Sequence, residues 1–163
     1  MVEHFATAQN AINHPLDVAA SLPSQIVKNA TDLKLKILIK NTSNIKINVY
    51  KFLVEGYTQD PFTNLNLVVE QKGNKGFHNY SRRSLYQMLP DMDSIDAIER
   101  VELNSKDSLV LFYHLDDAYL FVPGSYRMKC IYKNDIKQSD KIYTAWVYFR
   151  LDKTIPTSHN HND

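Results

Sequence analysis

The stretch that decides the fold reads LVLFYHLDDAYLFVPGSYRMKC over residues 109–130 and closes with IYTAWVYFRL at residues 142–151. A turn containing Pro123-Gly124 feeds directly into Tyr126 to Tyr132, where apolar and basic side chains alternate. Alternation with a period of two is typical of a β-strand that has one face in a core. A strand of this kind needs partners on both sides, so we expect the upstream chain to supply them.

The upstream segments repeat this signal. Residues 33–40, LKLKILIK, alternate apolar side chains with lysine almost without error. Further short apolar runs at 16–22, 45–54, 65–70 and 98–103 are separated by turn-forming residues. The pattern predicts an all-β fold, a two-layer antiparallel sandwich of about seven to nine strands. A barrel of the same strands remains the alternative, and residues 77–97 are the least regular part, expected to be a long excursion between strands.

The composition fits one globular domain. The chain has 163 residues, with 19 basic and 18 acidic side chains and a net charge of +1, so no overall field would attract nucleic acid or an anionic membrane. No apolar run approaches the roughly 18 residues that a membrane span requires. The single cysteine, Cys130, cannot form an intrachain disulfide and is expected to be buried.

The boundaries of the domain follow from where the alternation stops. We expect a flexible lead over residues 1–15, a sandwich over 16–152 and a disordered tail over 153–163. The start of the chain lacks the basic and apolar regions of a signal peptide. A mature form would be secreted or periplasmic and any other form cytoplasmic, so the compartment stays open, as does the oligomeric state.

The turn before Tyr126 resembles a known motif. A tyrosine just after Pro123-Gly124 looks like the residue that opens the penultimate strand of many immunoglobulin-like domains. In antibody-type domains a cysteine follows that tyrosine by two residues, whereas Cys130 follows Tyr126 by four and has no partner. The resemblance therefore implies an immunoglobulin-like β-sandwich without the disulfide.

A second resemblance rests on several pieces in order over roughly residues 16–150. They are Lys40-Asn41-Thr42-Ser43, Phe52-Leu53-Val54-Glu55-Gly56, Asp60-Pro61-Phe62, Arg82-Arg83, Pro90, Val101-Glu102-Leu103, Leu115-Asp116-Asp117-Ala118-Tyr119 and Pro123-Gly124-Ser125-Tyr126-Arg127. The series resembles the non-catalytic β-sandwich domain that precedes the peptidase in the deuterolysin and peptidyl-Lys metalloendopeptidase family. The zinc-binding His-Glu-x-x-His motif of that peptidase is missing from this sequence. The resemblance implies an accessory domain that binds a protein, with a peptidase as the expected partner and an inhibitor-like or chaperone-like role.

The candidate contact surface combines aromatic and charged residues in two regions. Tyr and Arg dominate protein-binding hot spots because they bury much area and also hydrogen-bond. The same types could stack single-stranded nucleic acid, a partner that the balanced charge disfavours, or could pack back on the sandwich. The candidate residues are Phe77, His78, Tyr80, Arg82, Arg83, Tyr86, Asp116, Asp117 and Tyr119.

The sequence contains no recognisable set of catalytic residues. The sequence has neither a Gly-x-Ser-x-Gly nucleophile turn nor a glycine-rich phosphate loop, and Asp116-Asp117 suit a turn better than a carboxylate pair. We therefore predict a protein that is not an enzyme, with no cofactor and no metal. One alternative is a structural or adhesive module that pairs with itself through a sheet edge. Another is a hydrolase that uses His114 with Asp116 or Asp117.

Overall fold

The computed structural model describes residues 14–51, 53, 64–81, 100–134 and 141–152, apart from the side chain of Asp117. Within these residues the chain is all-β, as predicted. A 3-10 turn, Ala30–Asp32, and one helical turn, α1, Leu115–Ala118, interrupt the strands. The strands are β1 Leu16–Ser21, β2 Ile26–Val27, β3 Lys34–Asn41, β4 Ile47–Tyr50, β5 Leu65–Gly73, β6 Gly76–Asn79, β7 Arg100–Leu103, β8 Ser108–His114, β9 Gly124–Tyr132, β10 Ile142–Tyr143 and β11 Val147–Leu151.

The described strands form three sheets. Two of them are the main sheets. The smaller main sheet, called the smaller sheet below, has the order β1-β3-β8, and the larger has the order β2-β11-β9-β5-β6 with β10 beside β9. The third is a two-stranded ribbon of β4 and β7. All pairs are antiparallel except the parallel pair of β2 and β11. The β4–β7 ribbon is a third sheet beyond the two that the sequence predicted.

One hydrophobic cluster joins the inward faces of these sheets. In β3 the inward residues Leu35, Ile37 and Ile39 are fully buried, and the other face carries Lys34, Lys36, Leu38 and Lys40. In β9 the side chains of Tyr126, Met128, Cys130 and Tyr132 are buried in the same way. The alternation predicted for both strands is confirmed, and so is the buried position of Cys130.

The chain from Ile142 to Leu151 forms two strands, β10 and β11, instead of one continuous strand. In β10, Ile142 pairs with Tyr132, and in β11, Val147 pairs with Met128, so residues 144–146 oppose only residues 129–130. The extra residue forms a β-bulge. Thr144 secures it, because the backbone N–H of Cys130 donates to Thr144 Oγ1 at 2.9 Å. As a result Ile142 is buried and Tyr143 is exposed, whereas a regular alternation continued back from Leu151 and Phe149 would bury residue 143.

The predicted irregular excursion begins with a strand instead. Asn74 and Lys75 form a two-residue turn between Gly73 and Gly76, and β6 folds back on β5 in a hairpin. Gly76 has a φ of +113°, a backbone conformation that favours glycine. Residues 82–97 of the excursion lie outside the described part of the chain.

The ends of the predicted domain behave differently. His14 and Pro15, placed in the flexible lead by the sequence, are tied to the smaller sheet because the Thr42 N–H donates to the Pro15 carbonyl at 2.9 Å. Residues 1–13 and the predicted tail, 153–163, lie outside the described residues.

Each of the two main sheets has one buried polar side chain that binds its neighbouring loop. In the smaller sheet, Asn41 Nδ2 lies 2.7, 3.1 and 3.0 Å from the carbonyl oxygens of Ile45, Leu103 and Asn104. In the larger sheet, the Tyr126 hydroxyl donates to the Val122 carbonyl at 2.6 Å and accepts from the Val122 N–H at 3.2 Å.

Candidate functional site

The predicted contact residues separate in the structure. Phe77 and His78 lie on β6, with Phe77 half-buried and His78 exposed. Tyr80 closes the core instead of extending outward: its ring stacks on Phe121 at 5.6 Å, and its hydroxyl donates to the Leu120 carbonyl. Tyr80 therefore packs on the sandwich, which the sequence analysis gave as the alternative to a contact surface. Arg82, Arg83 and Tyr86 lie outside the described residues.

The second predicted region is largely internal. Tyr119 is only 3% exposed and its hydroxyl lies 3.4 Å from the Leu67 carbonyl, so the structure corrects its assignment to the contact surface. The reason is α1, which turns the chain so that Tyr119 follows it into the core. Asp116 and Asp117 belong to this helical turn, and Asp116 is half-buried with its Oδ1 lacking a hydrogen-bond partner.

The outward face of the larger sheet carries a group of side chains that we call the aromatic layer. It alternates rings with cations across strands β6, β9, β10 and β11. Its members are Phe77, Arg127, Lys129, Tyr143, Trp146 and Tyr148. Phe77 is the only one of these that the sequence singled out.

Arg127 is the centre of the aromatic layer. Its guanidinium carbon lies 4.5 Å from the ring centre of Phe77 and 4.3 Å from that of Trp146, a cation–π arrangement on both sides. Its Nε donates to Glu70 Oε2 at 2.6 Å, and this hydrogen bond raises the pKa of Arg127 above its ordinary value. Arg127 is therefore a permanent cation held in one position by three neighbours.

Lys129 extends the layer in the other direction along β9. Its Nζ lies 4.9 Å from the ring centre of Trp146 and 5.9 Å from that of Tyr143. At the opposite end, the rings of Phe77 and Tyr148 meet edge to face at 6.2 Å. Tyr148 and Tyr143 remain 50% and 43% exposed, so the layer offers open ring surface as well as internally paired cations.

The bulge at residues 144–146 makes this layer possible. Residues 143 and 146 would lie on opposite faces of a regular strand, because successive side chains alternate. The extra residue reverses the alternation between them, and Tyr143 and Trp146 both contact Lys129 on the outward face. The only local feature of the sequence that relates to the bulge is Thr144, whose hydroxyl oxygen accepts a hydrogen bond from the backbone N–H of Cys130.

Asp116 Oδ1, which one form of the hydrolase alternative would pair with His114, has no hydrogen-bond partner among the described residues, and Cys130 is fully buried. Among the described positions, no three His, Cys, Asp or Glu side chains come together as metal ligands would. In the same part of the chain no helix has the length and apolar character to cross a membrane.

Comparison with protein-family models and with curated proteins finds no match for this chain. The resemblance to the accessory domain of the deuterolysin family therefore rests on the quoted sequence pieces alone and stays a prediction.

Proposed function

We propose that this chain is a non-catalytic, protein-binding domain with an immunoglobulin-like β-sandwich, and that it binds through the aromatic layer. The proposed partner is a peptidase, with the chain acting as its inhibitor or accessory subunit.

The strand order supports the immunoglobulin-like part of this proposal. An immunoglobulin domain has its first, second, fourth and fifth main strands in one sheet and its third, sixth and seventh in the other. Here β1, β3 and β8 share the smaller sheet in the order of the first, second and fifth, and no described strand stands for the fourth. β5, β9 and β11 share the larger sheet in the order of the third, sixth and seventh, extended by β6 as in variable-type domains.

The Tyr126 hydroxyl supports the same assignment. In many sandwiches of this class a tyrosine near the start of the penultimate strand bonds back to the backbone a few residues upstream. Tyr126 makes this connection to Val122, four residues earlier, through both the carbonyl and the N–H of that residue. Met128 stands where the cysteine would be in an antibody-type domain, and it is fully buried.

The single observation that carries the binding role is the exposure of ordered aromatic rings beside fixed cations. Tyr, Trp and Arg are enriched in binding hot spots. The neighbours of Arg127, Trp146 and Tyr148 hold them in place before any partner arrives, which lowers the conformational entropy lost on binding. Pre-ordered side chains on a sheet face are a surface suited to a protein partner.

The choice of a peptidase as partner comes from the sequence resemblance. Accessory domains of that family cover or fold the peptidase that follows them. A domain of this kind makes that contact and itself lacks the zinc motif, which fits an inhibitor-like or accessory role.

A titration into a panel of endopeptidases, zinc enzymes included, tests the proposal. Complex formation is followed on a sizing column and residual peptidase activity is measured in parallel. Loss of activity at a 1:1 ratio identifies an inhibitor, and a complex with full activity identifies an accessory subunit. If no peptidase in the panel forms a complex, the peptidase assignment fails.

A matched pair of variants tests the surface. Tyr148→Ala removes a ring that is 50% exposed from the aromatic layer, and Phe112→Ala removes one that is 54% exposed from the other sheet. Tyr148→Ala is expected to weaken the complex by about tenfold or more, as for a hot-spot residue, and Phe112→Ala to leave it unchanged. If instead only the combined replacement of Arg82, Arg83 and Tyr86 by alanine weakens the complex, the contact surface is the one predicted from the sequence.

A further inference from the structure

The two cations of the aromatic layer differ in how their charge is balanced. Arg127 donates to the carboxylate of Glu70 at 2.6 Å, so its counter-charge belongs to the chain itself. Lys129, two residues further along the same face, contacts the rings of Trp146 and Tyr143, and no acidic side chain is among its described contacts. Lys129 is therefore a cation held in position by rings, next to a cation that already has a carboxylate.

The surroundings of Lys129 add positive charge. Lys72 lies on the same outward face and pairs with Phe77 in the β5–β6 hairpin. The residue next to Lys129 on β5 is the apolar Val68. The ion pairs in the described part of the chain are Lys46 with Glu102, Arg127 with Glu70 and Arg150 with Asp152, and neither Lys72 nor Lys129 belongs to them. The face is complementary to a ligand that carries negative charge.

We propose that Lys129 pairs with a carboxylate of the bound protein, so that the aromatic layer recognises an acidic segment whose Asp or Glu side chains lie beside apolar ones. The apolar side chains of the partner would cover the exposed rings of Tyr143 and Tyr148, and its carboxylate would supply the counter-charge. This inference rests on the proposed function, because it names what the aromatic layer contacts on its partner.

The half-buried position of Lys129 favours such a contact. A partner that covers the neighbouring rings excludes water, and the attraction between ammonium and carboxylate is stronger where the effective dielectric constant is lower. The rings already restrict the lysine side chain, so less of its conformational freedom is lost on binding. A neutral or basic partner would cover the ammonium without supplying a counter-charge, which is unfavourable. The same cation therefore attracts acidic partners and disfavours others.

A single-stranded nucleic acid is less compatible with this face. Such a ligand stacks its bases on open ring faces and places its phosphates along several cations. Here the ring of Trp146 is already occupied by Arg127 and Lys129, at 4.3 and 4.9 Å from its centre. The carboxylate of Glu70 lies beside Arg127 and would repel a phosphate. An acidic polypeptide, which needs fewer cations, is the favoured partner.

The intrinsic fluorescence of the chain can test the proposal, because Trp146 is its only tryptophan. Three synthetic peptides of the same length, without tryptophan, carry Glu, Gln or Lys between the same leucine residues. The Glu peptide is expected to change the Trp146 fluorescence and to bind at least about tenfold more tightly than the Gln peptide, and the Lys peptide is expected not to bind. Equal binding of the Glu and Gln peptides, or no binding by the Glu peptide, would overturn the proposal. Tighter binding of oligothymidylate than of the Glu peptide would overturn it in favour of a nucleic acid.

A matched pair of charge variants locates the contact. Lys129→Met keeps an apolar side chain and removes the charge, and it should weaken binding of the Glu peptide by about tenfold while leaving the Gln peptide unchanged. Lys34→Met removes the same charge from the smaller sheet, where Lys34 also contacts a ring, 4.6 Å from the centre of Phe112. This control should bind like the parent chain. Equal weakening by both variants would mean that binding follows net charge, and the assignment to Lys129 would be wrong.

Glu70→Gln is expected to strengthen binding, a result that loss of folding cannot imitate. The substitution removes the negative charge beside Arg127 and keeps an oxygen that can accept from its Nε. Arg127 then becomes a second cation without a counter-charge, so the Glu peptide should bind about threefold or more tightly. Unchanged or weaker binding of the Glu peptide would contradict an acidic ligand at this face.

The same variants separate this inference from the proposed function. If Tyr148→Ala weakens a peptidase complex and Lys129→Met does not, the aromatic layer binds its partner without the acidic contact, and this inference alone fails. If the Glu peptide binds through Lys129 and no peptidase forms a complex, the acidic contact stands and the peptidase assignment fails.

Discussion

The two main sheets use similar residues in opposite ways on their outward faces. In the larger sheet, Arg127 contacts Phe77, Trp146 and Glu70, so a cation, two rings and a carboxylate form a connected group. In the smaller sheet the lysines of β3 alternate outward, and Lys34 lies 4.6 Å from the ring centre of Phe112. Cations and aromatics therefore build an ordered layer on one sheet and a looser face on the other.

The buried faces of the two main sheets also differ in their residues. The larger sheet buries the rings of Tyr126, Phe121 and Phe149 in mutual contact, with centre distances of 5.1 to 5.6 Å. The smaller sheet buries aliphatic residues, and its polar connection is the amide of Asn41. The comparison teaches that each main sheet is joined to a neighbouring loop by a buried polar side chain, a hydroxyl in one and an amide in the other, and these should differ in energetic weight.

The largest effect is expected for Asn41→Ala. Asn41 is fully buried; its amide nitrogen serves three carbonyl groups and its Oδ1 accepts from the N–H and hydroxyl of Ser43. The variant leaves several buried groups without partners, so we expect the free energy of unfolding to fall by about 3 kcal/mol in urea denaturation. Asn44→Ala, an exposed asparagine of the same loop, should change it by less than about 0.5 kcal/mol. Equal effects of the two variants would mean that the Asn41 hydrogen bonds do not hold the smaller sheet to its loop.

Tyr126→Phe is expected to cost about 1.5 kcal/mol, less than the asparagine variant. The ring and its contacts with Phe121 and Phe149 remain, and only the hydroxyl bonds with Val122 and Gln71 are lost. The same denaturation experiment measures the difference. If Tyr126→Phe lost more unfolding free energy than Asn41→Ala, the hydroxyl of Tyr126 would matter more for stability than the amide of Asn41.

Much of this comparison could be predicted from the sequence, because strand alternation is a local property. The lysines of residues 33–40 and the basic residues of 126–132 indicated which faces point outward, and Tyr126 was singled out by the turn before it. The burial of Asn41 could not be predicted, since its partner Leu103 lies 62 residues away. Asn41 and Asn44 look equivalent in a run of turn-forming residues.

The candidate site was predicted less well than the fold, for the same physical reason. Phe77 was singled out, but Arg127, Trp146 and Tyr148 join it only through the pairing of β5, β9 and β11, which the sequence does not state. The bulge at Thr144 then brings Tyr143 to the same face. Tyr119 was assigned to the surface by its residue type, and the helical turn before it, Leu115–Ala118, is too short to leave a periodic pattern in the sequence.

Alkaline pH should change the stabilising contribution of Tyr126 and leave that of Asn41 unchanged. Burial raises the pKa of Tyr126 and of Tyr132 above the ordinary tyrosine value, so the folded state keeps both protons after the unfolded chain has lost them. Their contribution to stability is complete below about pH 10 and falls as the pH rises towards their folded pKa values.

The difference between the parent chain and Tyr126→Phe should therefore change with pH. Each protonated buried tyrosine makes the unfolding free energy fall by about 1.4 kcal/mol per pH unit above pH 10. At pH 11 the gap between the parent chain and Tyr126→Phe should be about 1.4 kcal/mol smaller than at pH 7. The gap for Asn41→Ala should stay constant, because an amide does not titrate. A constant gap for both variants would show that the Tyr126 proton is not linked to unfolding.

The prediction with the smallest expected effect compares the outward faces of the two main sheets. Trp146 contacts two cations, Arg127 and Lys129, at 4.3 and 4.9 Å, whereas the described cation contact of Phe112 is with Lys34 and its ring is 54% exposed. Trp146→Ala should lower the unfolding free energy by about 1 kcal/mol and Phe112→Ala by less than about 0.5 kcal/mol. Urea denaturation measures both losses. Equal losses would mean that the aromatic layer is no more ordered than the lysine face, and the pre-ordering that makes it a binding surface would lose its support.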